Sequence, residues 1–216
     1  MNADALPSTI AGVVDHELVI KKSRFLAHLE PVATMDAADA AIARVRKQFW
    51  DARHHCVAVI VGTDAQRQRS SDDGEPSGTA GVPMLEVLRR RGLTDVVAVV
   101  TRYFGGVLLG AGGLVRAYSA SVAEALDRAV IVRRAELVQA SVAVPHADAG
   151  RLEGVLRDWA GAHGAVFTGA TYADVVRFGL FVPPDEQDRF AADLAAASAG
   201  VLVPRFGGRR VVDVGP

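Results

Sequence analysis

The stretch "TDVVAVVTRYFGGVLLGAGGLVRAYSASVAEALDRA", Thr94–Ala129, decides how the first half of the chain folds. Val96–Val100 is a short apolar run rich in β-branched residues, which reads as a buried strand. "GLVRAYSASVAEALDRA" reads as a helix. Between them lie Gly105, Gly106, Gly110, Gly112 and Gly113. A hinge, a tight packing corner and a cradle for an anion would each need that much backbone freedom. Free amides at a helix start, together with the helix dipole, attract anions, and glycine lets a phosphate approach the backbone. In "TRYFGG" Arg102 and Tyr103 precede the loop, and Arg116 lies one turn into the helix; the arginines would add charge-assisted hydrogen bonds. The spacing fits neither GxGxxG nor the P-loop, so pattern alone leaves cradle and packing corner both open.

Upstream, Pro83 suits the first turn of a helix in "VPMLEVLRRRG" and Gly92 its end. "TDAQRQRSSDDGEPSGTAG" (63–81) is polar and turn-rich, so it reads as one long loop. "HHCVAVIVG" is a buried strand. Thr34 is an N-cap for a helix through "DAADAAIARVRKQFW", whose Ala38, Ile42, Val45 and Phe49 have helical spacing. "VVDHELVIKKSRFLAHLEPV" gives one or two strands with Lys21, Lys22 and Arg24 as a basic interruption.

Downstream, the pattern changes after "VIVRRAEL". Strand, helix, two strands joined by a short turn, helix and strand follow in order. That is βαββαβ, the split ferredoxin-like arrangement. The expectation is an α+β protein with two domains, 1–133 and 136–216.

Half of the 216 residues are hydrophobic and 23% are charged, the composition of a soluble globular protein. The formal net charge of −1 removes any argument from bulk basicity towards nucleic acid. Residues 1–135 hold 17 Lys+Arg against 15 Asp+Glu, so a polyanion site must be a local patch. Cys56 is the only cysteine, which leaves no internal disulfide and fits a reducing cytosol. "MNADALPSTIAGVV" lacks the features of a signal peptide, and no apolar run approaches the roughly 20 residues of a membrane span. The expected location is the cytoplasm.

Two further stretches could carry chemistry. In "DARHHC", Arg53 precedes a strand on which His54 and Cys56 share one face and His55 takes the other. A Cys–His nucleophilic pair would need closer geometry than neighbours on one strand face provide, and an inert buried thiol is the default for Cys56. The two histidines lack companions at zinc-ligand spacing. In "SSDDGEPSGTAG", Asp72, Asp73 and Glu75 could hold a hard cation such as magnesium, or could serve turn chemistry. The length of the loop favours a function.

"SDDGEPSGTAGVPML" and "VVTRYFGGVLLGAGGLVRAY" resemble the two signature segments of the IMPACT/YigZ family, and "KKSRF" and "DARHHC" resemble its flanking ones. The match covers roughly residues 15–130. The tail resembles, more weakly, the ferredoxin-like domain that bacterial members append, which is similar to a late domain of elongation factor G. The resemblance implies that the first domain has the fold of the second domain of ribosomal protein S-five, shared with GHMP-type kinases. In those kinases a glycine-rich loop and helix start bind nucleotide phosphates; this chain lacks their Ser-rich loop. The resemblance also implies a part in translation, since eukaryotic members compete for the ribosome-associated activator of a stress kinase. For bacterial members nucleic-acid or ribosome association is the usual proposal, and the family pattern carries over no catalytic residue.

Two functions follow as expectations, beside a third, a structural partner protein with no small ligand. One is a non-enzymatic module touching RNA, the ribosome or a translation factor through Arg53, His54, Arg102, Arg116 and the glycine loop, with no cofactor and no metal. The other is a metal-assisted small-molecule hydrolase, with Asp72, Asp73 and Glu75 on the metal and His54 or His55 as general base. They differ in whether the acidic loop converges on the histidines.

Overall fold

The computed structural model describes residues 6–215; residues 1–5, the start of the segment read for a signal peptide, and Pro216 lie outside them. The chain divides into two compact units, one ending at Arg133 and the other spanning Arg134–Gly215. It is an α+β protein with two domains.

The first unit contains, in order, β1 (Thr9–Ile10), β2 (Val14–Ile20), β3 (Ser23–Pro31), α1 (Met35–Gln48), β4 (His54–Val61) and β5 (Arg67–Ser71). There follow α2 (Gly81–Arg90), β6 (Val96–Tyr103), α3 (Ala111–Leu126) and β7 (Ile131–Val132). Strands β2 to β6 form one antiparallel sheet in the order β2-β3-β6-β4-β5, and β1 pairs with β7. The apolar runs of β4 and β6 have a simple cause: both strands are covered on both faces. Val57, Val59, Val97 and Val99 pack against Ala38, Ala41, Ile42 and Val45 of α1. Cys56, Ala58, Val96, Ala98 and Val100 face Met84 and Leu88 of α2 and Leu114, Tyr118 and Val122 of α3. Edge strand β2 alternates between intermediate and exposed positions instead.

Thr34 caps α1, its hydroxyl accepting the Ala37 amide at 3.1 Å. Lys21 and Lys22, which interrupt the apolar pattern, form the two-residue turn between β2 and β3, both with positive φ (46° and 66°). That pair of left-handed residues suits the twist of a tight hairpin. The long polar segment 63–81 is not all loop: Arg67–Ser71 forms edge strand β5 against β4. An edge strand buries little, so its sequence stays polar and reads as loop.

The second unit runs β8 (Arg134–Val144), a short 3₁₀ turn, α4 (Ala149–Ala162), β9 (Val166–Tyr172), β10 (Val176–Val182), α5 (Gln187–Ala197) and β11 (Arg205–Asp213). Its sheet order is β11-β8-β10-β9, all antiparallel, the order of a ferredoxin-like βαββαβ unit. Leu152 and Leu156 of α4 and Phe190 and Leu194 of α5 pack onto Ala140, Val142, Phe178 and Leu180. The β8–β11 ladder extends to Arg134 opposite Asp213. Among the described residues no helix is long and apolar enough to cross a membrane, which says nothing of membrane-crossing strands.

Candidate functional site

The ends of β4 and β6, the loop 72–80 and the loop 104–110 meet in the first unit. Strand pairing sets His54 opposite Arg102 and His55 opposite Thr101. The acidic loop returns to these same strands. Asp73, at φ 42°, accepts the His55 amide at 2.7 Å and Arg46 at 2.7 Å, while its carbonyl lies 2.9 Å from His54 Nδ1. A carbonyl oxygen can only accept, so His54 donates from Nδ1. The loop therefore converges on the histidines, but its carboxylates arrive already engaged.

Asp72 caps α2 from a distance. Its carboxylate accepts the amides of Gly78 (2.8 Å), Ala80 (3.0 Å) and Gly81 (2.8 Å). Partial burial opposes the charge, but the three amides outweigh it and hold its pKa below the ordinary Asp value. Gly81 is demanded here, since a Cβ would stand 2.6 Å from the Ser71 nitrogen. Glu75 points inward. Its side chain is only 3% exposed, and Oε1 accepts Arg102 Nη1 at 2.7 Å and the Tyr118 hydroxyl at 2.8 Å. Arg102, 8% exposed, lies 5.4 Å from the Phe25 ring centre and 5.7 Å from that of Phe104. Its Nε is buried without a hydrogen-bond partner.

Burial pushes the Cys56 thiol up to about 12, and its Sγ donates to the Asp72 carbonyl at 3.0 Å. Burial likewise raises Tyr118 and lowers His55, whose Nδ1 lies 3.0 Å from the Thr101 hydroxyl. A thiol so raised is no nucleophile at neutral pH. Among the described residues no three His, Cys, Asp or Glu side chains are gathered to hold a metal ion.

The glycines separate by role. A Cβ at Gly105 would stand 2.0 Å from the Lys22 carbonyl carbon and 2.3 Å from the Ser23 nitrogen, so this glycine is a packing corner. The Ser23 hydroxyl accepts the Gly105 amide at 3.1 Å, tying "KKSRF" to "TRYFGG". Gly106 and Gly110 have φ of 83° and 71°. A Cβ at Gly113 would press on Leu109 at 3.0 Å. At Gly112 it would meet only the tip of Arg116, 3.6 Å away. The N-cap of helix α3, Gly110, makes no side-chain hydrogen bond to the helix start. Arg102 and Arg116 therefore do not act together: one is consumed in the interior and the other is exposed beside the helix start.

An open cleft of about 490 Å³ is lined by Asp51, Arg53, His54, Arg102, Tyr103, Phe104 and Leu108. Phe104 is 56% and Leu108 83% exposed. The Tyr103 hydroxyl donates to Asp51 at 2.7 Å, and Arg24 lies over its ring at 5.6 Å. Sequence reasoning singled out neither Asp51, Phe104, Leu108 nor Tyr118. Large apolar residues close to the Gly105–Gly106 pair, in a segment with no strand or helix period, were the signal for Phe104 and Leu108.

Residues 21–126 match the model of the Impact N-terminal domain, and residues 142–201 that of a domain of unknown function (DUF1949). The chain is 43% identical over 183 residues to "IMPACT family member YvyE" of Bacillus subtilis, covering 85% of this chain and 82% of that protein. The chain belongs to the IMPACT family. It is also 37% identical to "IMPACT family member YigZ" of Escherichia coli, across 94% of this chain and 97% of the relative. "Protein IMPACT" of Rattus norvegicus is 31% identical over 113 residues, half of this chain and 34% of that protein. A solved structure described as "Crystal structure of an hypothetical protein" matches at TM-score 0.60 and 37% identity, covering 93% of this chain and 96% of that one. The family match thus spans both units, and the four stretches that first suggested it lie in the unit holding the cleft.

Proposed function

We propose that this IMPACT-family protein is a non-enzymatic binding protein of the translation apparatus, and that its first unit contacts RNA. One observation carries the reading. The carboxylates of the acidic loop are each engaged within the protein, whereas Arg53, Arg116 and two large apolar side chains are left exposed. Glu75 is spent on Arg102 and Tyr118, Asp72 on the start of α2, and Asp73 on Arg46 and the His55 amide. The hydrolase reading needs those carboxylates open to a metal, and this arrangement gives it no support. Arg53, Arg116, Phe104 and Leu108 face outward. The start of α3, uncapped by a side chain and with the Arg116 guanidinium near Gly112, suits a phosphate. The part in translation rests on the family resemblance.

Fluorescence anisotropy with RNA across ionic strengths tests the reading. Only a local patch meets the phosphates, so the salt slope should be shallow. Arg116→Ala should weaken binding by roughly 1.5–3 kcal/mol, the worth of one charge-assisted hydrogen bond. No binding at low salt would overturn the RNA reading. A lysate pull-down that retains ribosomal proteins after RNase treatment would then point to a protein contact.

A further inference from the structure

We propose that the cleft between the starts of β4 and the loop after β6 takes one unpaired nucleotide of an RNA strand, its base stacked on Phe104. The inference rests on the RNA reading above and names the part of the ligand this surface takes. The cleft volume of about 490 Å³ lies within the range of small-ligand sites, roughly 300–1,000 Å³. Its aromatic walls are set before any ligand arrives. The Phe104 ring lies by the Arg102 guanidinium, which Glu75 holds in turn. The Tyr103 ring is held by Arg24 over its face and by the hydroxyl's bond to Asp51. Stacking on a ring already held in place costs little ordering, and every base offers a π-face.

The polar groups sort by charge. Arg102 and Glu75 cancel beneath the cleft, so the floor does not draw a phosphate inward. Arg53, exposed at the rim, is the cation left for the phosphate. His54 donates from Nδ1 to the Asp73 carbonyl, which leaves Nε2 as the ring nitrogen for a ribose hydroxyl or a base edge. The Asp51 carboxylate disfavours a phosphate in the cleft and accepts base N–H groups. Arg102 Nε remains a donor without an acceptor. A paired base keeps its edges occupied and its faces stacked within the duplex, so only an unpaired one can enter.

The test uses the full chain, a labelled short single-stranded oligoribonucleotide and the same sequence as a duplex, both at low salt. The single strand should bind more tightly than the duplex. Phe104→Ala should weaken the single strand about tenfold or more and leave the duplex unchanged, while Phe104→Trp should restore single-strand binding. Thermal melting confirms that both variants are folded. Adenosine monophosphate should shift the amide resonances of His54, Phe104 and Leu108. Single-strand affinity unmoved by Phe104→Ala, or equal losses on strand and duplex, overturns the cleft inference. In either case the RNA reading stands if Arg116→Ala still weakens binding. No RNA binding at all overturns both.

Discussion

Gly105 and Gly112 lie seven residues apart in one glycine-rich run, yet the structure asks opposite things of them. At Gly105 the hairpin backbone of Lys22 and Ser23 fills the space a Cβ would need. Neither backbone can retreat cheaply, so Gly105→Ala should cost about 3 kcal/mol or more. Gly112 is a helix position with open space, so Gly112→Ala should be neutral or gain about 0.5–1 kcal/mol. Chemical denaturation of the two variants checks both outcomes, and similar losses would contradict the division of roles. Glu75 carries a second residue-scale prediction. Glu75→Gln leaves the Arg102 charge buried without its counter-charge, and breaking a buried pair in this way costs about 3–5 kcal/mol. A loss below about 1 kcal/mol would mean that the pair is not structural. Cys56 should be inert: with its thiol pushed up to about 12 by burial, alkylation at neutral pH should be negligible until the chain is unfolded.

Helices α2 and α3 begin differently. The amides at the start of α2 are taken by Asp72, whereas those of α3 have no side-chain cap. Asp72→Ala should therefore cost about 1–2 kcal/mol, the worth of a lost cap. Because the native pKa of Asp72 is depressed, its contribution is complete above the unfolded value of roughly 3.9 and is lost as pH falls through the native value. The wild type should lose stability steeply in acid, and the Ala variant less so. His55, also lowered, acts in a milder window. Burial favours its neutral form, so its contribution is present above the unfolded value of roughly 6.5 and declines as pH falls below it. Melting the wild type and His55→Gln at neutral and mildly acidic pH should show the smaller pH slope in the variant.

At the scale of the molecule, the apolar clusters divide as the chain does, two on the faces of the first unit's sheet and one in the second unit, which predicts two folding units. The cluster around Phe25, Met84 and Tyr118 shares no member with the one around Leu152, Phe178 and Phe190. Fragments 1–133 and 134–216 should each give dispersed amide spectra, and collapse of either one alone would show that its core is incomplete. The ferredoxin-like order, the buried strands β4 and β6 and the capped helix α1 were all legible in the chain, because apolar period, β-branched runs and cap residues act over a few neighbours. Strand β5 was not, since an edge strand carries no buried pattern to read. The acidic loop was read as a possible metal site because its composition alone does not say which groups it faces. That Asp72 caps α2, that Glu75 meets Arg102 and Tyr118 across 27 and 43 residues, and that Gly105 presses on Lys22 are decided only by the tertiary structure. Local pattern determined the elements with a buried face, and the family; it left open which charges are consumed and which face solvent. Whether a charge has a partner depends on distances between residues far apart in the chain, and those distances exist only once the sheet has formed.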